Sequence, residues 1–331
     1  MTTIKQVATT AGVSFKTVSR VVNDDPNVSP STRAKVLDAI EQLGYRPNLI
    51  ARNMRMRRSH VLGLITEELA TTPFAVNLIK GAQEAAWEAG FMLMVINNEN
   101  NRERTNDAIQ TLLERKVEGI LYATMRHRVI DTPQHPTDTP LVLANCRDQN
   151  AHLTSVVPDD ERGGYEATRA LLESGRRKIA FINLEPAAIA AQERLQGYQR
   201  ALAEANLPFR EEWVQFTADG MPESGFRLAS VLLEGTERPD ALFCGNDRIA
   251  MGAYDAIRER GLRIPEDIAV IGFDNHDVIA AHLRPALSTM ALPHYEMGHW
   301  AAEQLLRMID QRAAQSEQLR LPCPYIARAS I

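Results

Sequence analysis

The chain has 331 residues, of which 44% are hydrophobic, and its formal net charge is −5. That length is too great for one small domain, and the hydrophobic content excludes an intrinsically disordered protein. No apolar run approaches the ~18 residues of a membrane span and no basic-then-apolar leader opens the chain, so we expect a cytoplasmic protein without a membrane partner.

Residues 4–23 predict a short helix, a turn containing Gly12 and a second helix. Apolar residues at helical spacing can close a small core between the two helices; they are Val7, Ala8, Ala11, Val18, Val21 and Val22. The residues that open the second helix then point outward, as in a recognition helix that reads base edges in the major groove. This helix-turn-helix pattern predicts sequence-specific binding to double-stranded DNA.

A third helix is predicted from Thr32 to Leu43. Ser29 offers a hydroxyl cap, Pro30 suits the first helical position, and Gly44 ends the helix. Its apolar residues share one face and extend the small core; they are Val36, Leu37, Ile40 and Leu43. The first 46 residues therefore predict an all-α headpiece.

Charge is distributed unevenly along the chain. Residues 1–60 hold ten lysine and arginine residues against four acidic ones, a net +6, which leaves −11 for the rest. A basic segment on an acidic body concentrates attraction for phosphate at one end of the molecule. The asymmetry supports DNA binding by the first 60 residues.

With residues 44–55 added, the N-terminal region resembles the LacI/GalR family of bacterial transcriptional regulators. The matching stretches are Val7-Ala8, Ala11-Gly12-Val13-Ser14, Thr17-Val18-Ser19-Arg20-Val21, Val28-Ser29, Gly44-Tyr45-Arg46-Pro47-Asn48 and Ala51-Arg52. The resemblance implies a helix-turn-helix DNA-binding domain at 1–46 and a hinge helix with linker at 47–59. In the family, the hinge becomes helical on DNA and pairs with its twin in the minor groove. Met54 stands where the family usually has a leucine that wedges between base pairs.

The residues expected to contact DNA fall into three groups. Phe15 and Lys16 should touch base edges, with Lys16 donating to guanine O6 or N7, and Arg20 should reach a guanine or the backbone. Phosphate contacts are expected from Thr3, Ser14, Thr17, Ser19, Asn23 and Asn27. By resemblance, the hinge adds Asn48, Ala51, Arg52 and Met54.

From residue 60 onward, short apolar runs alternate with amphipathic helical segments, which predicts βαβ units and parallel sheets. The predicted strands are 61–65, 92–96, 119–123, 141–145, 155–157, 179–182, 241–244 and 268–273. The predicted helices are 76–89, 106–116, 163–174, 191–205, 223–233 and 248–259.

The family resemblance implies that residues 60–331 form a two-lobed periplasmic-binding-protein type I fold, with parallel sheets flanked by helices. This would be the effector-binding and dimerisation domain. Lobe 1 is expected at about 60–157 and 291–319, and lobe 2 at about 158–288 and 322–331.

Ligands of open α/β folds bind outside the carboxyl ends of the strands, so a cleft between the lobes should be lined by residues that follow strands. The resemblance implies effector contacts at Asn145, Arg194, Asn246 and Asp274, to which we add Thr72, Phe74 and Phe216. Charged groups and amides of this kind hold sugar hydroxyls, each hydrogen bond to a charge contributing about 1.5–3 kcal/mol.

Several residues near these positions have simpler explanations. Asp247 is expected to cap the helix that starts at Arg248. Asp159 and Asp160 are expected to cap a helix or to join the lobes. Trp87 lies on an apolar stripe and is expected in the core.

No motif or residue constellation here predicts catalysis, a cofactor or a metal site. GxSxG, Walker and HExxH motifs are absent from the sequence, and the adjacent Asp159 and Asp160 cannot flank a glycosidic bond from opposite sides. The eight histidines are scattered, which predicts surface histidines. Cys146, Cys244 and Cys323 have no CxxC partner and are expected to be small buried hydrophobes.

Within the family, further stretches are similar to the sucrose-operon repressors of enteric bacteria. They are Thr71-Thr72-Pro73-Phe74, Ala144-Asn145-Cys146, Pro158-Asp159-Asp160, Gly245-Asn246-Asp247-Arg248 and Leu321-Pro322-Cys323-Pro324. We therefore expect a repressor of a sugar-utilisation operon, controlled by sucrose, fructose or a related sugar between the lobes. The chain ends without a heptad-bearing tail, which favours a homodimer on a near-palindromic operator over a tetramer.

Two other hypotheses remain open from the sequence. One is a sugar-binding protein without a role on DNA, and the other is a regulator that responds to a non-sugar molecule. The sequence also leaves open whether the sugar is phosphorylated and whether it releases or tightens DNA binding.

Overall fold

The computed structural model describes residues 2–22, 25–45, 58–67, 73–99, 101–136, 138–235, 237–311 and 316–331. Its contacts divide the chain into two compact units, Met1–His60 and Val61–Ile331. Each unit is described by itself below.

The first unit contains three helices, α1 (Ile4–Ala11), α2 (Phe15–Val22) and α3 (Pro30–Leu43). Thr3 and Gln6 form a capping box at the start of α1, and Gly12 ends it in the left-handed conformation with φ of 66°. Ser29 caps α3 by accepting from the Thr32 N–H. The core consists of Val7, Ala8, Val18, Val21, Val36 and Ala39.

The predicted stripe of α3 is wrong at one position. Leu37 is 51% exposed, and Ala39 is buried instead. Val36, Ala39, Ile40 and Leu43 follow the i, i+3, i+4, i+7 spacing of one helix face, whereas Leu37 is rotated by about 100° from Val36.

The second unit is built on two six-stranded sheets. The strands of the first are β1 (Val61–Thr66), β2 (Met92–Asn97), β3 (Gly119–Ile130), β4 (Leu141–Asp148), β5 (Thr154–Pro158) and β11 (Gln318–Leu321). The strands of the second are β6 (Ile179–Asn183), β7 (Val214–Phe216), β8 (Ala241–Cys244), β9 (Ala269–Asp274), β10 (Ser288–Ala291) and β12 (Tyr325–Ile326). Their orders are β11-β5-β4-β3-β1-β2 and β12-β10-β9-β8-β6-β7.

Helices cover both faces of each sheet. They are α4 (Pro73–Glu88), α5 (Arg102–Glu114), α6 (Asp160–Glu173), α7 (Ile189–Glu204), α8 (Pro222–Glu234), α9 (Asp247–Glu259) and α10 (His294–Gln311), with a 3₁₀ turn at Glu211–Trp213. We call the first sheet with α4, α5 and α10 lobe 1, and the second sheet with α6–α9 lobe 2. Only β12 pairs antiparallel among the described strands. The predicted fold class, an all-α headpiece followed by a two-lobed α/β fold with parallel sheets, is confirmed.

Every strand and helix predicted after residue 60 is present, with ends within about four residues of the prediction except for β3, which runs seven residues beyond its predicted end. The pattern did not single out the short strands β7, β10, β11 and β12 or the helix α10. The chain passes from lobe 1 to lobe 2 after β5, returns after β10, and crosses again after β11. Central strands such as β1, β4 and β8 are buried on both faces, as in parallel sheets covered by helices.

Trp87 is not in the core, contrary to the expectation. It is 75% exposed on α4. The face of α4 that packs on the sheet carries small and aliphatic residues instead, namely Leu78, Ala82, Ala85 and Ala86. Trp87 follows Ala86 by one residue and is turned away from that face.

The three cysteines are free and buried, as expected. Burial raises the pKa of the Cys146 thiol to about 12, so it is unreactive at neutral pH. No helix in the described part of the chain has the length and apolar character that crossing a membrane requires.

Candidate functional site

The exposed face of α2 carries the residues predicted to read DNA. Phe15 is 54% exposed, Lys16 and Arg20 are exposed, and Thr17 and Ser19 are half-buried. Val18 and Val21 anchor the opposite face in the core. A short amphipathic helix on a rigid core therefore presents an aromatic ring and two cations together.

The hydroxyls of Thr3 and Ser14 also serve the local backbone. Ser14 Oγ accepts from the Thr17 N–H at 3.1 Å, and Thr3 Oγ1 accepts from the Gln6 N–H at 3.4 Å. Both sit at helix starts, where N–H groups lack intrahelical partners. Asn23, Asn48, Ala51, Arg52 and Met54 lie outside the described residues.

Asp25 ties Arg20 to Asn27. Arg20 Nε donates to Asp25 Oδ2 at 2.8 Å, while the backbone N–H and Nδ2 of Asn27 donate to Oδ1 at 2.9 and 3.0 Å. The hydrogen bond from Arg20 is the main reason that the pKa of Asp25 falls to about 2. Two predicted DNA contacts are thus held by one carboxylate.

A cavity of about 140 Å³ lies between the two lobes of the second unit. It brings together the four effector contacts that the family resemblance implied, Asn145, Arg194, Asn246 and Asp274. They come from β4 in lobe 1 and from α7, the end of β8 and the end of β9 in lobe 2.

Of the three further predicted residues, only Phe216 has a side chain that the structure describes. Phe216 is 38% exposed at the end of β7 and does not line the cavity, although its neighbour Thr217 does. Thr72 and the side chain of Phe74 lie outside the described residues. A second cavity, of about 320 Å³, lies beside α5 in lobe 1 and contains none of the predicted residues.

Arg194 is buried, with 3% of its surface exposed, and makes four contacts. Nε and Nη2 lie 2.8 and 2.7 Å from Asp160 Oδ1, and Nη1 donates to the Gly245 carbonyl oxygen at 2.6 Å. The guanidinium stacks 3.6 Å from the centroid of the Phe273 ring. These contacts fix the planar guanidinium in place and use only three of its five N–H groups.

Glycines bring Arg194 close to Asp160. A Cβ on Gly164 would lie 2.3 Å from the Arg194 carbonyl oxygen, and one on Gly197 would lie 2.0 Å from the Glu161 carbonyl oxygen. No side chain fits at either position, so α6 and α7 approach until their backbones touch. This close crossing sets the Arg194 side chain against the first turn of α6.

Asp160 joins the two lobes. Besides Arg194 of lobe 2, its Oδ2 lies 3.0 Å from His127 Nδ1 on β3 of lobe 1. Burial alone would raise the pKa of Asp160, but Arg194 and His127 together hold it below its usual value. The interlobe role expected for this pair of aspartates is confirmed at Asp160, and Asp159 caps α6 by accepting from the Arg162 N–H at 3.1 Å.

The expectation of surface histidines is wrong for His127 and His294, which are 6% and 5% exposed and line the cavity. Burial lowers the pKa of His294 to about 4, so it is neutral at pH 7. His127 stands in an irregularity of β3 and His294 opens α10, and neither location has a sequence motif of its own.

Two predicted contacts adopt left-handed backbone conformations. Asn145 has φ of 57° and Asp274 has φ of 111°. Non-glycine residues pay about 1–3 kcal/mol for such strain, which tends to persist at binding sites. Asn145 is held there by Nδ2, which donates to the Thr124 carbonyl oxygen at 3.0 Å. Burial raises the pKa of Asp274 well above its usual value, against the opposing charge of Arg194.

Asn246, not Asp247, caps α9, so that expectation is corrected. Asn246 Oδ1 accepts from the Ile249 N–H at 2.7 Å, and Nδ2 donates to the Gly220 carbonyl oxygen at 3.1 Å. Asp247 is the first residue inside the helix and is fully buried. It accepts from the His276 N–H and the Thr289 hydroxyl, both at 2.6 Å, and burial raises its pKa to about 7.

Arg248 is a further cavity residue that sequence reasoning did not select. It lines the cavity from α9, and its Nε has no hydrogen-bond partner among the described residues. The polar stretch that follows β8 predicts Asn246 as a cleft residue. The same stretch extends to Arg248 and could have predicted it as well.

Acidic and imidazole groups also come close enough to suggest a cation site. Ligand atoms of His127, Asp160 and Glu193 lie within 4.8 Å of one another. However, Asp160 is paired with Arg194, and Glu193 accepts from Arg320 Nη2 and Nη1 at 2.9 and 3.0 Å. Two guanidinium groups already neutralise both carboxylates, so this donor set does not fit a metal ion.

Two family models match the chain. Residues 3–48 match bacterial regulatory proteins of the lacI family. Residues 59–329 match periplasmic binding proteins and the sugar binding domain of the LacI family.

Individual proteins match over the full length as well. The sucrose operon repressor of Escherichia coli is 38% identical over 100% of both chains. Catabolite control protein A of Priestia megaterium is 34% identical over 97% of this chain and 96% of its own. The crystal structure of the lac repressor dimer bound to operator and the anti-inducer ONPF has a TM-score of 0.78 at 26% identity, covering 99% of this chain and 98% of that one. The similarity therefore spans both units.

Proposed function

The chain belongs to the LacI family of bacterial regulatory proteins, and from this premise we propose that it represses a sugar-utilisation operon and leaves its operator when a small sugar binds between the lobes. Family membership confirms the resemblance seen in the sequence. It also makes the chain a transcriptional regulator and not an enzyme.

One observation carries the sugar hypothesis. Asn145, Arg194, Asn246 and Asp274, the effector contacts that the family resemblance of the sequence implies, line one cavity. Amide and charged groups that converge on a small cleft match the paired hydroxyls of a sugar. The sucrose operon repressor at 38% identity favours sucrose or its constituent fructose over non-sugar effectors.

We assign roles to three segments. Residues 1–46 bind DNA, residues 47–59 form the hinge, and residues 60–331 bind the effector and dimerise. The effector contacts are Asn145, Arg194, Asn246 and Asp274, to which we add Thr72, Phe74 and Phe216. A regulator of operon transcription works where the DNA is, so we place the protein in the cytoplasm.

On DNA, Phe15 and Lys16 read base edges and Arg20 reaches a guanine or a phosphate. Phosphate contacts come from Thr3, Ser14, Thr17, Ser19, Asn23 and Asn27. The hinge residues Asn48, Ala51, Arg52 and Met54 enter the minor groove. Because Asp25 already orients Arg20 and Asn27, these two side chains lose less freedom on binding.

A homodimer is supported by the outer face of α4. Val76 is 58% exposed and Trp87 is 75% exposed, and both line one surface groove with Ile79 and Lys80. We call this set the α4 face. A second copy of the chain would cover these apolar side chains and would supply the second recognition helix that a near-palindromic operator requires.

Fluorescence anisotropy of a labelled operator tests this function. The operator is first selected from random duplexes by the full chain, and sugars are then added singly, beginning with sucrose and fructose. We expect one of them to release the DNA. If the protein binds DNA tightly and no sugar changes that binding, it is a regulator that responds to another effector. If it binds a sugar but prefers no DNA duplex, it is a sugar-binding protein with no role on DNA.

A further inference from the structure

His127 reaches the cleft because β3 is irregular. This strand pairs with β4 in regular register up to Ala123, and the pairing resumes with a shift at Arg128. Residues 124–127 thus form a bulge between two paired segments of a central strand, and bulges of this kind redirect side chains at binding sites. The bulge is fixed by the hydrogen bond from Asn145 Nδ2 to the Thr124 carbonyl oxygen.

The two ring nitrogens of His127 stand in different environments. Nδ1 lies 3.0 Å from Asp160 Oδ2. Nε2 is buried, and it has no hydrogen-bond partner within the described part of the chain. A buried polar atom without a partner costs free energy, so its retention beside a cavity points to a ligand.

The tautomer of His127 follows from Asp160. The Arg194 guanidinium keeps Asp160 ionised, and a carboxylate only accepts hydrogen bonds. Nδ1 must therefore carry the proton and donate it to Asp160. Nε2 is then the ring nitrogen that is left for a ligand, and a hydroxyl can pair with it as donor or as acceptor.

We propose that His127 is a specificity-determining effector contact, whose Nε2 forms a hydrogen bond with one hydroxyl of an uncharged sugar. The proposal rests on the proposed function and adds a lobe 1 contact to Asn145. Through Nδ1 and Asp160, the same ring connects that hydroxyl to Arg194 in lobe 2. Polar groups of both lobes, connected by hydrogen bonds, would thus contact the same sugar.

The charges of the cleft favour an uncharged ligand. Arg194 is committed to Asp160, which leaves Arg126 and Arg248 as the other arginines that line the cavity. Glu185 and Asp219 line it as well and balance these two charges. The lining therefore offers no net positive charge to hold a phosphate dianion.

Two amide substitutions separate a ligand contact from a supporting role. His127→Asn places its amide nitrogen near the position of Nδ1, so it keeps the hydrogen bond to Asp160 and loses the group at Nε2. His127→Gln reaches the position of Nε2 and gives up the bond to Asp160. His127→Phe keeps the ring volume without either nitrogen. His152→Asn changes an exposed histidine of the same lobe and serves as the control.

Isothermal titration calorimetry on the full chain with sucrose and with fructose measures the effect. For whichever sugar binds, His127→Asn and His127→Phe should weaken binding about tenfold, equivalent to ~1.4 kcal/mol. His127→Gln should stay within about threefold of the wild type, and His152→Asn should not change it. A thermal melt without sugar checks that each variant is folded.

Several outcomes overturn the proposal. Equal or larger losses in His127→Gln would mean that the ring acts only by holding Asp160, and unchanged affinity in His127→Asn would remove His127 from the site. Tighter binding of fructose 6-phosphate than of fructose would contradict an uncharged ligand. Failure of the wild type to bind either sugar would instead refute the proposed function, and this inference with it.

Discussion

Arg194 places two nitrogens, 2.8 and 2.7 Å away, on the same carboxylate oxygen of Asp160, although both side chains are almost completely buried. A buried ion pair of this kind adds little net stability, because desolvation offsets the attraction between the charges. Its geometry is nevertheless demanding, since α6 and α7 must cross on glycines for the two groups to meet. We therefore interpret the pair as a structural element that holds the polar groups of the effector cleft in position.

Breaking this pair from one side should be more damaging than removing both partners. Arg194→Ala leaves Asp160 buried and supported by His127 alone, and we expect the free energy of unfolding to fall by about 3 kcal/mol. Asp160→Ala/Arg194→Ala removes both charges and should recover part of that loss. Urea denaturation of the two variants measures the difference. A double variant that is less stable than the single one would mean that the charges are not coupled.

Lys16 should govern discrimination between DNA sequences. Lys16→Ala removes an exposed donor near the start of α2, so affinity for the selected operator should fall by about 1–3 kcal/mol while affinity for random duplex changes little. Lys35→Ala removes an equal charge from the exposed side of α3 and is the matched control. Anisotropy titrations at fixed salt measure both affinities. If affinity falls equally for the operator and for random duplex, Lys16 contacts only the phosphate backbone.

Trp87 should determine the oligomeric state. Because Trp87 is exposed, Trp87→Asp should leave the fold of the chain intact while it places a charge in the α4 face, and sedimentation should then show a monomer. The affinity of this monomer for the operator should also be lower, since two recognition helices no longer bind together.

Val129→Asp is the control for this experiment. Val129 is 41% exposed and lies beside α5, on the other side of the lobe 1 sheet from α4 and α10. This variant should remain dimeric. A Trp87→Asp protein that sediments as the wild type does would exclude the α4 face as the interface.

Asp247 makes stability depend on pH. Burial raises its pKa from 3.8 to about 7, so between these values the folded chain holds a proton that the unfolded chain has released. The free energy of unfolding therefore falls as the pH rises through this window. Asp247→Asn removes the titration, since its amide oxygen still accepts from the His276 N–H and its nitrogen can donate to the Thr289 hydroxyl.

The variant should melt about 2–4 °C above the wild type near pH 8, and the difference should disappear near pH 4. Scanning calorimetry at several pH values measures it. A difference that is independent of pH would show that Asp247 does not titrate in this window. Asp277→Asn, which changes an exposed carboxylate close in sequence, serves as the control.

Local rules account for much that was predictable from the sequence. Thr3 and Ser29 start helices through their side-chain hydroxyls, and Gly12 and Gly44 end them in the left-handed conformation, so the headpiece could be located without tertiary information. The apolar runs of central strands are long and buried on both faces, which makes them easy to recognise. Short edge strands such as β7 and β12 bury too little to leave such a pattern.

Features that depend on distant contacts were missed. His127 enters the cleft only because β3 shifts register against β4, and no local sequence pattern predicts that shift. Trp87 fits an apolar stripe equally well whether that stripe meets the core or another molecule. Asn246 and Asp247 are both good helix caps, and the hydrogen bonds from His276 and Thr289 to Asp247 decided between them.

The central claim is that sugar in the cleft controls the hold on DNA, and a sugar titration of operator-bound protein tests it most directly. Wild type, Arg194→Lys and the control Arg200→Lys are compared, because lysine keeps the charge beside Asp160 but not the planar contacts to Gly245 and Phe273. All three should bind the operator equally. Sucrose or fructose should release the wild type and Arg200→Lys and leave Arg194→Lys bound, whereas release of Arg194→Lys at the same sugar concentration as the wild type would contradict the account.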